Sequence, residues 1–211
     1  SHYRQADSWL TAPKIDEKVA GRGILFPHGA LDKICDARKQ PCLDRYLADA
    51  VKINELARVN VLALERYQRL IAYPGYQDRT LYTFHDPIPA YGGVAVASRM
   101  TMARAALMVA AGRHREGAET IASDVRFWRR VLANSNTLIG KMVAVRRIED
   151  DLRLLNELIA RYPVFARDQA ALLAGITQPL STAEADFCGV LNQEIAIGVR
   201  YVHFLGQSRW K

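Results

Sequence analysis

The stretch from Val94 to Tyr162 constrains this chain more than any other, because its apolar residues recur at helical spacing through three successive segments. A turn at Gly112 and another at Asn134-Ser135-Asn136 separate the segments, and Gly and Asn are residues that end or cap helices. No stretch alternates with period two over enough residues to argue for a sheet. The pattern predicts an all-α fold, an irregular multi-helix bundle with an irregular N-terminal arm. The pair of helices around Gly112 resembles one helical hairpin of a tetratricopeptide-type repeat, although no second copy follows.

Other segments follow from the same spacing. Residues 43–73 read as one long helix or two nearly collinear ones, stopped by Pro74-Gly75. Residues 74–93 read as an ordered crossing loop whose Tyr76, Tyr82, Phe84 and Tyr91 pack onto the helices. Helices are expected over about 94–111, 115–132, 137–161 and 164–174. Ser181-Thr182-Ala183-Glu184 is a capping-box sequence that opens a last helix reaching about Leu205. Residues 1–41, punctuated by Pro13, Gly21, Gly23, Pro27, Gly29 and Pro41, read as the arm, with at most a short helix near Asp16 to Ala20. Residues 42–211 read as a helical domain with a single core.

With 211 residues, half of them apolar, the chain can bury a full core. Asp86, Arg99, Arg104 and Lys141 interrupt each apolar run before it reaches the roughly 18 to 20 residues of a membrane span, so a soluble chain is expected. The start at Ser1-His2 suggests processing or trimming, and an upstream signal or anchor is compatible with it. The net charge of +7 would favour acidic partners if concentrated. It is spread out: Arg129-Arg130 and Arg146-Arg147 are separated by apolar and acidic residues, so nucleic-acid binding is not expected and ranks third among the readings.

Cys35 and Cys42 flank Asp36-Ala37-Arg38-Lys39-Gln40-Pro41, close enough for a disulfide in an oxidising compartment, with Cys188 left as an odd thiol. Two reduced cysteines in a cytosolic protein are the alternative. Placed about 100° apart around their helices, Lys141 falls among Ile148, Leu152 and Ile159, and Glu194 falls among Phe187, Val190, Leu191 and Tyr201. Two opposite charges on inner faces predict a buried polar pair, bridged through Ser135 or Asn156. Three readings stay open: a structural ion pair or snorkelling lysine, a polar ligand pocket, and a catalytic lysine beside a carboxylate.

No HExxH, CxxC, P-loop, GxGxxG or GxSxG motif is present, so no metal, no cofactor and no catalytic residue is assigned. Glu149-Asp150-Asp151 reads as a solvated face supporting Arg146, Arg147 and Arg153. Phe127, Trp128, Trp9 and Trp210 read as packing anchors.

The series Glu65-Arg66-Tyr67-Gln68-Arg69-Leu70, Phe127-Trp128-Arg129-Arg130-Val131-Leu132 and Thr137-Leu138-Ile139-Gly140-Lys141-Met142-Val143-Ala144-Val145 resembles an uncharacterised family of helical proteobacterial cell-envelope proteins. Cys42-Leu43 and Pro179-Leu180-Ser181 with Glu194 belong to the same likeness, which spans about residues 40–200. The resemblance implies an envelope location and an N-terminal hydrophobic anchor that this chain lacks. It implies no activity. The expected function is a non-catalytic periplasmic or membrane-associated domain that contacts another protein or the membrane surface through its irregular N-terminal arm and the tyrosine-rich loop of residues 74–93. A small-molecule-binding or enzymatic domain using Lys141 and Glu194 is the alternative.

Overall fold

The computed structural model describes residues 31, 33–78 and 91–208, the last five of them as backbone only. The expectations for residues 16–20, Trp9, Trp210, Tyr82 and Phe84 lie outside the described residues. Every regular element described is a helix, so the fold is all-α. In chain order these are α1 (Leu43–Ala48), α2 (Ala50–Val59), α3 (Val61–Ala72), α4 (Tyr91–Ala110), α5 (His114–Asn134) and α6 (Leu138–Arg161). The chain then continues through α7 (Pro163–Asp168), α8 (Ala170–Ile176), α9 (Thr182–Ala185) and α10 (Cys188–Ser208).

Helical spacing located these segments but not their breaks. The stretch 43–73 is three helices, interrupted at Asp49 and Asn60, whose backbones leave the helical region. The Asn60 amide donates to the Leu56 carbonyl at 2.8 Å, a side-chain bond that competes with continuation of the helix. The last predicted helix is likewise two, because the chain runs extended at Asp186 between α9 and α10. The capping box at Ser181 and Glu184 forms as its sequence indicates.

Helices α4, α5 and α6 make the centre. Helix α4 is apolar on nearly all sides rather than amphipathic, with Ala97, Met100, Met102, Ala103, Ala105, Ala106 and Val109 all buried. By length and composition it could cross a membrane, which the interrupted sequence had not suggested; half of its most apolar window is buried inside the bundle. Its alanines let α5 approach closely: a methyl group at Gly117 would come within 2.5 Å of Val109 Cγ2 and 3.1 Å of the Ala105 carbonyl oxygen. The turn between the two helices is closed by Gly112 at φ +79°, with its amide on Val109 O and the Arg113 amide on Met108 O. That pair of bonds is a Schellman cap, and the positive φ explains the glycine.

Helix α5 turns Ile121, Val125, Trp128 and Leu132 inward, and Phe127 stacks edge-on against Trp128 at 5.1 Å between ring centroids. The Cys35–Cys42 disulfide is formed, with Cα atoms 5.6 Å apart, and Cys188 is a free, exposed thiol. Leu31, Ile34 and Cys35 are buried, so the described end of the arm belongs to the core. The described ends of the crossing loop are also held. Asp78 accepts from Ser135 Oγ at 3.1 Å and the Asn136 amide at 3.0 Å, and the Tyr76 and Tyr91 hydroxyls meet at 3.2 Å.

Candidate functional site

Lys141 and Glu194 take different partners. Thr137 caps α6 by accepting from the Gly140 amide, which places Lys141 one turn in, at 2% exposure. Its ammonium donates to the Leu132 carbonyl at 2.8 Å and lies 5.3 Å from the Phe187 ring centroid. Leu132 stands in the last turn of α5, where carbonyls lack helical partners and a cation is favourable. Burial pushes the Lys141 ammonium below its ordinary pKa, and the Asp186 charge pulls it back up. Glu194 is half-buried and accepts from the Leu138 amide at 3.3 Å, at the opposite pole of a helix, the start of α6. No ion pair joins the two side chains among the described residues. Ser135 serves Asp78, and Asn156 is exposed, so neither expected neighbour bridges them.

The costly polar centre of the bundle lies elsewhere. Asp124 of α5 is fully buried and accepts from Tyr67 Oη of α3 at 2.7 Å and from Ser98 Oγ of α4 at 2.8 Å. Trp128 Nε1 in turn donates to Ser98 Oγ at 3.0 Å. The carboxyl of Asp151, on α6 and 1% exposed, hydrogen-bonds to Asp124, so one network ties four helices together. Burial, and next the charge of Asp124, push the Asp151 carboxyl well above its ordinary pKa. Asp124 also rises through burial, against the pull of its hydrogen bonds from Asp151, Tyr67 and Ser98. Two carboxyls in contact cannot both ionise here, so the pair holds a proton, with Asp151 the group pushed further toward the neutral form.

This overturns the reading of Glu149-Asp150-Asp151 as a solvated face. Glu149 does pair at the surface with Arg146 and Arg153, but Asp151 and Arg147 turn inward, Arg147 to 5% exposure. Arg147 pairs with Asp150, which Arg146 also reaches at 2.7 Å. Burial lowers the pKa of the Arg147 guanidinium, with Asp151 opposing. The helical wheel carried the signal: Asp151 shares the inward direction of Ile148 and Leu155, as Asp124 shares that of Ile121 and Trp128.

Above Asp151 opens a cleft of about 340 Å³, walled by the disulfide loop, Tyr46, Arg99 and the middle of α6. Among the described residues that line it, Cys42 is held in the disulfide. The cleft offers charge and hydrogen bonds from Lys39, Tyr46, Arg99, Arg147, Asp150 and Glu157. Among the described residues no group of three or more His, Cys, Asp or Glu could hold a metal ion.

A second surface stands on α10, which packs on α6. Leu191, Ile195, Val199 and Val202 are 43%, 63%, 63% and 70% exposed. With Gly198, whose Cβ position faces open space, Leu191, Ile195 and Val202 follow a 4-3-4 spacing, the seam of a coiled coil. Comparison of this chain with family models, with curated proteins and with solved structures gives no match.

Proposed function

We propose that the chain is a non-catalytic helical scaffold domain of the cell envelope that assembles through α10, with a second copy of itself as the partner. The exposed seam of Leu191, Ile195, Gly198 and Val202 carries this reading, because a 4-3-4 apolar spacing is complementary to another helix. Charges beside a seam select a different partner or repel an identical one. The flanking positions here are Asn192, Val199, Tyr201 and Glu194, and Glu194 is engaged by the Leu138 amide. Among the described side chains, the rim carries no charge other than Glu194. A membrane-surface helix would carry a basic polar face, and the described side chains of α10 include a single Arg and no Lys. The Cys35–Cys42 bridge supports an oxidising compartment, and the likeness to envelope proteins points the same way.

Sedimentation velocity across the micromolar range tests the reading. The expected result is a concentration-dependent dimer that Ile195→Glu abolishes while the far-ultraviolet circular dichroism is unchanged. A monomer at every concentration, or a dimer indifferent to Ile195→Glu, rules it out.

A further inference from the structure

We infer that the pocket between α3, α4 and α5 is a binding site for a small uncharged aromatic molecule, one ring in size. Leu70 of α3, Tyr91 and Val94 of α4, and Tyr76, which follows the Pro74-Gly75 turn, stand at its mouth. Phe127, Trp128 and Val131 of α5 make its base. The mouth residues are half-buried, so a ligand enters through the surface that they leave open to solvent. This inference does not rest on the α10 seam.

Size and lining select the ligand. The pocket measures about 190 Å³, and an apolar cavity of about 150 Å³ is enough to hold one benzene. Drug-sized ligands take about 300 Å³ or more, so one ring is what this volume admits. No described residue of the lining carries a charge, and Tyr76, Tyr91, Phe127 and Trp128 are aromatic. Aromatic side chains favour edge-to-face contact with another ring, as Phe127 and Trp128 already make with each other at 5.1 Å between centroids.

The polar atoms of these aromatic residues are already engaged. The Tyr76 and Tyr91 hydroxyls meet at 3.2 Å, and Trp128 Nε1 donates to Ser98 Oγ at 3.0 Å. Burial, and next the bond to Tyr91, push the Tyr76 hydroxyl above its ordinary pKa, so it stays neutral. Water in the pocket therefore finds few of the polar partners that would order it. Displacing poorly ordered water with an apolar ring is favourable, whereas an entering carboxylate would lose hydration and meet no cation in the described lining.

Isothermal titration of the full chain at neutral pH with benzene, and in parallel with cyclohexane and benzoate, tests the site. Benzene is expected to bind saturably, cyclohexane more weakly and benzoate not at all. Val94→Phe and Leu70→Phe each put a ring into the mouth and should weaken benzene binding by about tenfold or more. Val59→Phe, on the exposed surface, should leave it unchanged. Circular dichroism identifies which blocking variant keeps the fold, and either one decides. Absence of saturation by benzene, unchanged affinity in a folded blocking variant, or binding of cyclohexane or benzoate as tight as that of benzene overturns the proposal.

Discussion

Two polar centres in this bundle treat their charges in opposite ways. At the Arg129–Glu184 clamp, the guanidinium gives two short bonds to Glu184, at 2.6 and 2.8 Å. It also donates to the Gln178 and Pro179 carbonyls, and Glu184 closes the capping box on the Ser181 amide. Every charge there is matched, and the Arg129 bonds, led by the one from its guanidinium, hold the Glu184 carboxyl down to about 2. At the Asp124–Asp151–Arg147 centre, burial is deeper and matching is incomplete, so one carboxyl gives up its charge and a guanidinium nitrogen stays unpaired. A matched pair near the rim fastens one segment of the chain to another.

The largest effect expected is on the clamp. Arg129→Ala strands Glu184 and frees the 176–184 segment from α5, so chemical denaturation should show a loss of about 3 kcal/mol or more. A loss of about 1 kcal/mol or less would mean the clamp is no stronger than an exposed pair, and the contrast would vanish. Opening the Cys35–Cys42 bridge, which spans seven residues over the cleft, comes next at about 2.5 kcal/mol by the loop-entropy relation. Denaturation with and without reductant measures it, and alkylation of the unreduced protein should label only Cys188.

Within the buried centre the two aspartates should differ. Asp124→Asn replaces a carboxylate that accepts from two hydroxyls, at an expected cost of about 2 kcal/mol, read by the same denaturation. Asp151→Asn removes a group that must take up a proton to fold at neutral pH, so it should cost less than Asp124→Asn there and can raise stability. A larger loss for Asp151→Asn than for Asp124→Asn would place the proton on Asp124.

The pH dependence separates the centres by sign. Glu184 titrates lower when folded, so its stabilisation is present above its ordinary 4.5 and fades as pH falls through about 2. Asp151 titrates higher when folded, so its contribution is full below the ordinary 3.8 and is lost as pH rises toward its folded value. In Asp151→Asn the second slope should disappear from a stability-against-pH curve while the first remains. Persistence of both slopes would show that the raised carboxyl is another group.

What could be read in the sequence was what spacing along one helix decides. The helices around Gly112 and after Thr137, the inward direction of Lys141 and the short disulfide loop are all local properties. The partner of Lys141 was not legible, because the Leu132 carbonyl becomes available only when the end of α5 folds back against α6. Asp151 was misread for a different reason: its acidic neighbours suggested solvent, although its position between Ile148 and Leu155 pointed inward. The breaks at Asp49 and Asn60 turn on side-chain bonding and backbone angles that an apolar repeat does not record.

The short turns between α4, α5 and α6 bear on how the chain reaches this state. Helix α4 ends at Ala110, α5 begins at His114, and α6 follows Asn134 after three residues, so the central contacts join near neighbours in sequence. Low contact order of this kind favours rapid folding. The core is then expected to assemble before oxidant reaches Cys35 and Cys42, and the bridge seals a loop already in place instead of guiding the search. Refolding in reductant at the same rate as the oxidised chain, with faster unfolding, is the kinetic signature of that order; slower refolding would make the bridge part of the nucleus.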